Sequence, residues 1–298
     1  MIVERKLRSV SERRQVVTKI MRFYSETLGL SNSAFALLRD LIHERTGLYY
    51  ANGNKSLLED RLSPLVVERG FDSVLDYYYL LKYDTQAEQE WKRVIDVLSI
   101  QETYFWREID QITALTDIIV PEFFSKYRAE PLRIWSAACA TGEEPLTIAM
   151  ALNEKNWFNR APIEIYASDA SNAAIEKAKQ GMYRKRSFRN LPPALFEKYF
   201  ATKDESWLVS PEIHSRIKWT KANLMEESEI GSLATAPIIF CRNVFIYFSE
   251  NAIRKTLKLF NEHMPRPGFL FVAAAESLLK LTTDFQLREI GGAFLYVR

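Results

Sequence analysis

The chain has 298 residues, 47% hydrophobic and 26% charged, with a formal net charge of +2. That length allows one large domain or two ordinary ones with a real core. The near-neutral balance gives no pointer to nucleic acid or an anionic membrane, no apolar run approaches the roughly 18 residues of a membrane helix, and His43, His214 and His263 lack metal-ligand spacing, so no metal site is expected.

Residues 1–22 hold seven Lys/Arg against Glu4 and Glu12. They have no signal-peptide core, and the two acids argue against a presequence, so residues 1–30 read as a basic, solvated extension. Ser33 is placed to cap a helix AFALLRDLIHERTG, in which Phe35, Leu38, Leu41 and Ile42 recur at helical spacing and which Gly47 would stop. KSLLEDRLSPLVVERG reads as a second helix, with Pro64 inside it to kink or split it. SVLDYYYLLKYD and AEQEWKRVIDVLSI give two more. Residues 1–100 therefore predict a small all-helical domain.

Beyond residue 100 short apolar runs alternate with helical stretches. LRIWSAA (132–138), IEIYAS (163–168), RIKW (216–219), PIIFC (237–241) and GFLFVAA (268–274) read as strands. PLTIAMALNEK, NAAIEKAKQG and NAIRKTLKLFNEHM read as helices, and FQLREIGGAFLYV as a hairpin turning at Gly291-Gly292. Near-continuous apolar strands between helices predict a parallel sheet covered on both faces, with the antiparallel hairpin closing its edge. Cys139 and Cys241, each in an apolar, strand-like setting, read as buried thiols of a cytosolic protein.

Ligands of such a sheet bind outside the carboxyl ends of its strands. Four segments fall there: ACATGEE, SDAS, KANL and CRNVFIYF. Asp169 ends the second strand, 27 residues beyond Gly142, where a carboxylate suits the two hydroxyls of a ribose. Glu143 and Glu144 open the first helix, where they complement its dipole but would repel a pyrophosphate. A ligand with a ribose and a positive centre fits better, and S-adenosylmethionine, which carries an ammonium and a sulfonium and no phosphate, has both.

Taken in order, WSAACATGEEP, YASDA, KQGMYR, KANL and FCRNVFIYF, preceded by QETYFWRE (101–108), closely resemble the chemotaxis receptor methyltransferases, the CheR family, from about residue 33 to the end. The resemblance implies an α/β, Rossmann-like S-adenosylmethionine-dependent methyltransferase domain at 101–298, behind an N-terminal helical domain at 1–100 and carrying a small β subdomain at about 201–219. It implies methyl transfer to glutamate side chains on the cytoplasmic signalling region of a chemoreceptor, giving glutamate methyl esters for sensory adaptation. By motif, Gln101, Thr103, Arg107, Ala138, Gly142, Glu143, Asp169, Asn223, Leu224, Arg242 and Asn243 should hold the cofactor. Glu143 should meet the methionine amino group and Asp169 the ribose, Asn223 and Leu224 should flank the adenine, and Arg107 and Tyr247 should stand near the methyl group. Gln101 departs from the family's usual asparagine but keeps the amide.

Structural roles compete with these: Tyr104, Phe105 and Trp106 as packing, Arg107 as a partner of Glu108, Asp169 as the cap of NAAIEK, and Asn243 as a turn residue. The basic receptor-facing helix of the family corresponds to KSLLEDRLSPLVVERG, where Lys55, Arg61 and Arg69 are diluted by Glu59, Asp60 and Glu68. The segment 201–219 lacks the glycine turns of those relatives that grip a receptor-tail pentapeptide, so no such tether is expected. A monomer without nucleic-acid binding or membrane insertion is expected. The competing functions are a methyltransferase for another carboxylate acceptor and a catalytically weak S-adenosylmethionine-binding signalling module.

Overall fold

The computed structural model describes residues 29–128 and 130–298; the extension read from residues 1–22 lies outside them. Two compact units divide the chain. The first ends at Leu98; the second takes residues 99–298 together with the short stretch 46–48.

Among the described residues the first unit holds four α-helices: α1 (Asn32–Thr46), α2 (Lys55–Glu68), α3 (Val74–Tyr83) and α4 (Ala87–Leu98). Ser31, not Ser33, caps α1, its Oγ receiving the Ala34 N–H at 3.1 Å. The helix starts two residues earlier than expected, which leaves Ser33 inside the first turn. Pro64 neither ends nor splits α2, which runs on to Glu68; the N–H it lacks would have met the Asp60 carbonyl. Leu38, Ile42, Leu58, Val94 and Leu98 are fully buried between these helices. Among them Glu90, also fully buried, accepts from Arg69 Nε at 2.7 Å and Tyr77 Oη at 2.7 Å, with Arg93 at 3.3 Å. Arg61 donates to the Leu98 carbonyl at 2.8 Å and Lys55 to Asn32 Oδ1 at 3.2 Å. All three cations singled out in KSLLEDRLSPLVVERG therefore have partners within the unit.

The second unit is built on a seven-stranded sheet. Its strands are β1 (Leu132–Ala137), β2 (Ile163–Asp169), β6 (Ile217–Lys221), β7 (Ile238–Phe240), β8 (Phe269–Phe271), β9 (Gln286–Ile290) and β10 (Ala293–Val297), in the order β6-β2-β1-β7-β8-β10-β9. All pairings are parallel except those of β10 with β8 and β9. Successive residues of a strand face opposite sides. Both sides are apolar here: Ile134 and Phe240 enter one core, Trp135 and Ile239 the other. Helices α5 (Glu143–Glu154), α6 (Asn172–Gln180) and α7 (Glu250–His263) supply Leu146, Ile175 and Phe260 to those cores. From β1 the chain adds strands on one side through β2 and on the other through β7. The order thus reverses between β1 and β7, and a crevice opens beyond their carboxyl ends.

A separate three-stranded sheet pairs β5 (Ser206–Val209) with β3 (Met182–Tyr183) and β4 (Phe200–Lys203). It begins and ends earlier than the span 201–219 read from the sequence, because Ile217–Lys221 pairs with β2 in the large sheet. Its hairpin turns through Asp204 at φ +52°, a left-handed position that aspartate tolerates without glycine. Among the described residues no helix is long and apolar enough to cross a membrane.

Glu90 sets a stability test. Burial raises its pKa, but Arg69, Tyr77 and Arg93 outweigh that and hold it below the ordinary carboxylate range. A depressed carboxylate stabilises the fold above its unfolded pKa and loses that contribution as pH falls through the folded value. Glu90→Gln is expected to lower unfolding free energy by about 2 kcal/mol at pH 7, with the deficit shrinking in acid; denaturant titrations at both pH values check this.

Candidate active site at the strand switch point

The loop after β1 is shaped by its backbone. Ala138 (φ +57°), Ala140 (φ +48°) and Gly142 (φ +96°) are all left-handed. A Cβ on Gly142 would also lie 2.8 Å from the Trp219 ring, so glycine is required there on two counts. The carboxylate of Asp169 fixes this loop to β2: Oδ2 accepts the Ala140 N–H at 2.9 Å and Oδ1 the Ser171 N–H at 2.8 Å. Ser171 caps α6 through the Ala174 N–H at 3.0 Å. Asp169 is therefore not the cap, and it is held within a buried position at the sheet edge.

A cleft at this edge is lined by Glu102, Thr103, Tyr104 and Arg107 before the sheet, Ala138–Ala140 and Glu144 after β1, and Arg242 and Asn243 after β7. The two adjacent glutamates part company. Glu143 is turned under the loop, 2% exposed, and accepts from Thr141 Oγ1 at 2.7 Å and Ser187 Oγ at 2.9 Å. Glu144 faces the cleft, accepting from Ser136 Oγ at 2.6 Å and Arg242 Nε at 2.6 Å. Arg242, its side chain 2% exposed, also reaches Glu108 at 3.5 Å, the Arg107 carbonyl at 3.1 Å and Gln111 Oε1 at 3.3 Å.

The segment QETYFWRE is threaded between these loops. Phe105 is fully buried and stacked on Phe188, with centroids 5.4 Å apart, and its N–H meets the Ser187 carbonyl at 2.8 Å. Trp106 (φ +67°) and Glu108 (φ +48°) are left-handed on either side of Arg107, a conformation that costs bulky residues roughly 1–2 kcal/mol each. Trp106 is held by Thr147 Oγ1 and Glu108 by Arg242. Glu108 thus turns to Arg242, while Arg107 lies against Tyr104, 5.2 Å from its ring centroid, and donates to the Glu102 carbonyl at 3.3 Å. Tyr104 lines the cleft, so of the three aromatics in this segment only Phe105 and Trp106 are packing residues.

Of the residues singled out from sequence, the structure gathers Thr103, Arg107, Ala138, Arg242 and Asn243 around one cleft, with Asp169 bonded to its wall. Gln101 stands aside, accepting from Lys177 Nζ at 3.0 Å. Asn223 and Leu224 are buried in the loop after β6 on the same sheet edge; Asn223 Oδ1 accepts the Met225 N–H at 3.1 Å. Tyr247 lies half-buried four residues past Asn243, in the turn Phe245–Tyr247. Sequence reasoning missed Glu102, named Glu108 only as a partner for Arg107 where it pairs with Arg242, and missed Glu276, an isolated acid in the apolar run AAAESLL.

The donor set suits S-adenosylmethionine. The small side chains of Ala138 and Ala140 leave the loop open, Asp169 is held at the end of β2, and the cleft wall carries carboxylates where a phosphate binder needs free N–H groups. Fold and site together define an S-adenosylmethionine-binding methyltransferase domain. Residues 101–293 match the model described as the CheR methyltransferase, SAM binding domain, and residues 33–99 the CheR methyltransferase, all-alpha domain. The chain belongs to the CheR methyltransferase family. It is 31% identical over 262 residues to chemotaxis protein methyltransferase 2 of Vibrio cholerae, covering 87% of this chain and 90% of that one. To the chemotaxis protein methyltransferase of Escherichia coli K12 it is 31% identical over 280 residues, covering 91% and 93%.

Burial pushes the Glu143 pKa up, against the hydrogen bonds from Thr141 and Ser187. A raised carboxylate contributes stability below its unfolded pKa and loses it as pH rises through the folded value. The melting-temperature deficit of Glu143→Gln relative to the parent is therefore expected to be larger at pH 5 than at pH 8. A deficit that grows with pH would contradict the buried, desolvated placement.

Proposed function

We propose that the chain is a protein-glutamate O-methyltransferase acting on the cytoplasmic signalling region of a chemoreceptor. The observation that supports this most is the cleft wall formed by Glu144 with Arg242, next to Asp169 and beside Arg107. It offers anionic groups for the cofactor and a cation for an acidic acceptor. When bound, S-adenosylmethionine supplies an electrophilic methyl group on a sulfonium. In this reading Glu144, rather than Glu143, receives the amino group, because it is the one that faces the cleft. Asp169 accepts from the ribose hydroxyls, and Thr103, Ala138, Gly142, Arg242 and Asn243 shape the pocket. Asn223 and Leu224 flank the adenine.

The acceptor needs no strong base, since a glutamate with a pKa of roughly 4.3 is already ionised near pH 7. Arg107 steers that carboxylate by a charge-assisted pair, and Tyr247 aims it. What remains is in-line alignment and removal of water from the carboxylate. The pair must stay loose, because charge disappears from both reactants in the transition state. We place the helical domain at residues 1–100 and the chemistry at 101–298 of a cytoplasmic monomer without a pentapeptide tether. With Arg61 and Arg69 engaged inside their own unit, we assign α2 a smaller share of receptor recognition.

Calorimetric titration with S-adenosylhomocysteine is expected to give low-micromolar binding to the parent. Asp169→Ala and Glu144→Gln should each weaken it at least tenfold, Glu144→Gln more than Glu143→Gln. Incubation of the parent with a receptor cytoplasmic fragment and methyl-labelled cofactor should give base-labile label, cut at least tenfold in Arg107→Ala. No binding to the parent would contradict the reading, and label stable to base would exclude a glutamate ester.

A further inference from the structure

The loop after β7 carries three of the proposed site residues, Arg242, Asn243 and Tyr247, yet its backbone leaves the sheet at Phe240. Its N–H groups converge on one carboxylate. Glu276 Oε1 accepts from Val244 at 2.8 Å, Phe245 at 2.8 Å and Ile246 at 3.3 Å. Oε2 accepts from Asn243 at 2.8 Å and from Ala273 at 2.8 Å. Glu276 is 6% exposed and sits in the turn after β8, where its own N–H meets the Ala273 carbonyl at 2.8 Å. Successive backbone N–H groups aimed at one point form a concave anion site, and here the anion belongs to the protein. Asn243 at φ +61° starts that curve. The same β8 turn is held from the other side by Glu108 Oε1, which accepts the Ala274 N–H at 3.4 Å, and by Gln111 Nε2, which donates to the Val272 carbonyl at 2.8 Å.

We infer that Glu276 is a positioning residue of the transfer site: its carboxylate holds the backbone of residues 243–246 in the curve that puts Asn243 on the cleft wall and sets Tyr247 one turn further on. The inference rests on the proposed function for its catalytic meaning, while the anchoring itself is independent of it. An ionised carboxylate is acceptor-only, so it can serve all these donors. Glutamine in its place offers one oxygen and turns an NH₂ toward N–H groups. Aspartate keeps the charge but is one methylene shorter.

The test is made on the full chain with Glu276→Gln and Glu276→Asp, both assayed well below their melting temperatures. Amide hydrogen exchange should show faster exchange at residues 243–246 in Glu276→Gln, while the amides of β1 and β2 stay as in the parent. S-adenosylhomocysteine should bind Glu276→Gln about tenfold more weakly, with Glu276→Asp between the two. Retained protection at 243–246 would overturn the anchor. Lost protection with unchanged affinity, or an aspartate variant no better than glutamine, would overturn the positioning role. If Glu276→Gln fails to fold, Glu276→Asp decides, and parent-like exchange and affinity in it would overturn the inference. A parent that does not bind S-adenosylhomocysteine would sink the functional reading and the positioning role with it, and the exchange data would still report on the anchor.

Discussion

The site hangs on one buried guanidinium. Arg242 is almost fully enclosed, and a buried cation is tolerated only when paired and hydrogen-bonded. Its partners come from separate parts of the chain: Glu144 from the helix after β1, Glu108 and the Arg107 carbonyl from the segment before the sheet. The sheet alone brings the ends of β1 and β7 together; it does not say how the loops beyond them should fold. Arg242 supplies that instruction. The left-handed backbone at Trp106 and Glu108 makes sense in this light, since Glu108 must turn inward to reach Arg242 and thereby leaves Arg107 free to face the cleft.

The same network sets the sign of the cleft. Arg242 is met by two carboxylates, and Asp169 adds a third nearby, its oxygens bound to backbone N–H groups that bring no full charge. The balance favours a cationic cofactor over a phosphorylated one without any single residue carrying the selectivity. Beneath the loop, Glu143 does something different: with Thr141 and Ser187 it joins the first loop to the turn that follows β3 of the small sheet. Consecutive residues on a helix point roughly 100° apart, so adjacent glutamates are free to take unrelated roles.

That angle also explains where the sequence ceased to be informative. Apolar strands between helices, the glycine pair at 291–292 and the ordered motifs were enough to place the sheet, its antiparallel edge and the segments at its carboxyl end, because each is a local pattern. Which of two neighbouring glutamates lines the cleft depends on where the helix starts after Gly142; the sequence singled out Glu143, which is buried under the loop, while Glu144 lines the cleft. The shift of the cap from Ser33 to Ser31 is a similar ambiguity of two residues in where a helix starts. The small sheet was misplaced because Met182–Tyr183, only two residues long, has no period to read, and because RIKW was needed by the large sheet. Glu276 was invisible for another reason: its partners are backbone N–H groups about 30 residues away, and backbone leaves no mark on composition.

A double-mutant cycle on Arg242 and Glu144, read as S-adenosylhomocysteine affinity, tests the central role of this pair most directly. If the guanidinium holds Glu144 in place on the cleft wall, Arg242→Gln and Glu144→Gln will each weaken binding, and the double variant will be little worse than either alone, a coupling of about 1 kcal/mol or more. Losses that simply add would mean that the two residues act on the ligand independently and that the cleft is shaped by something else.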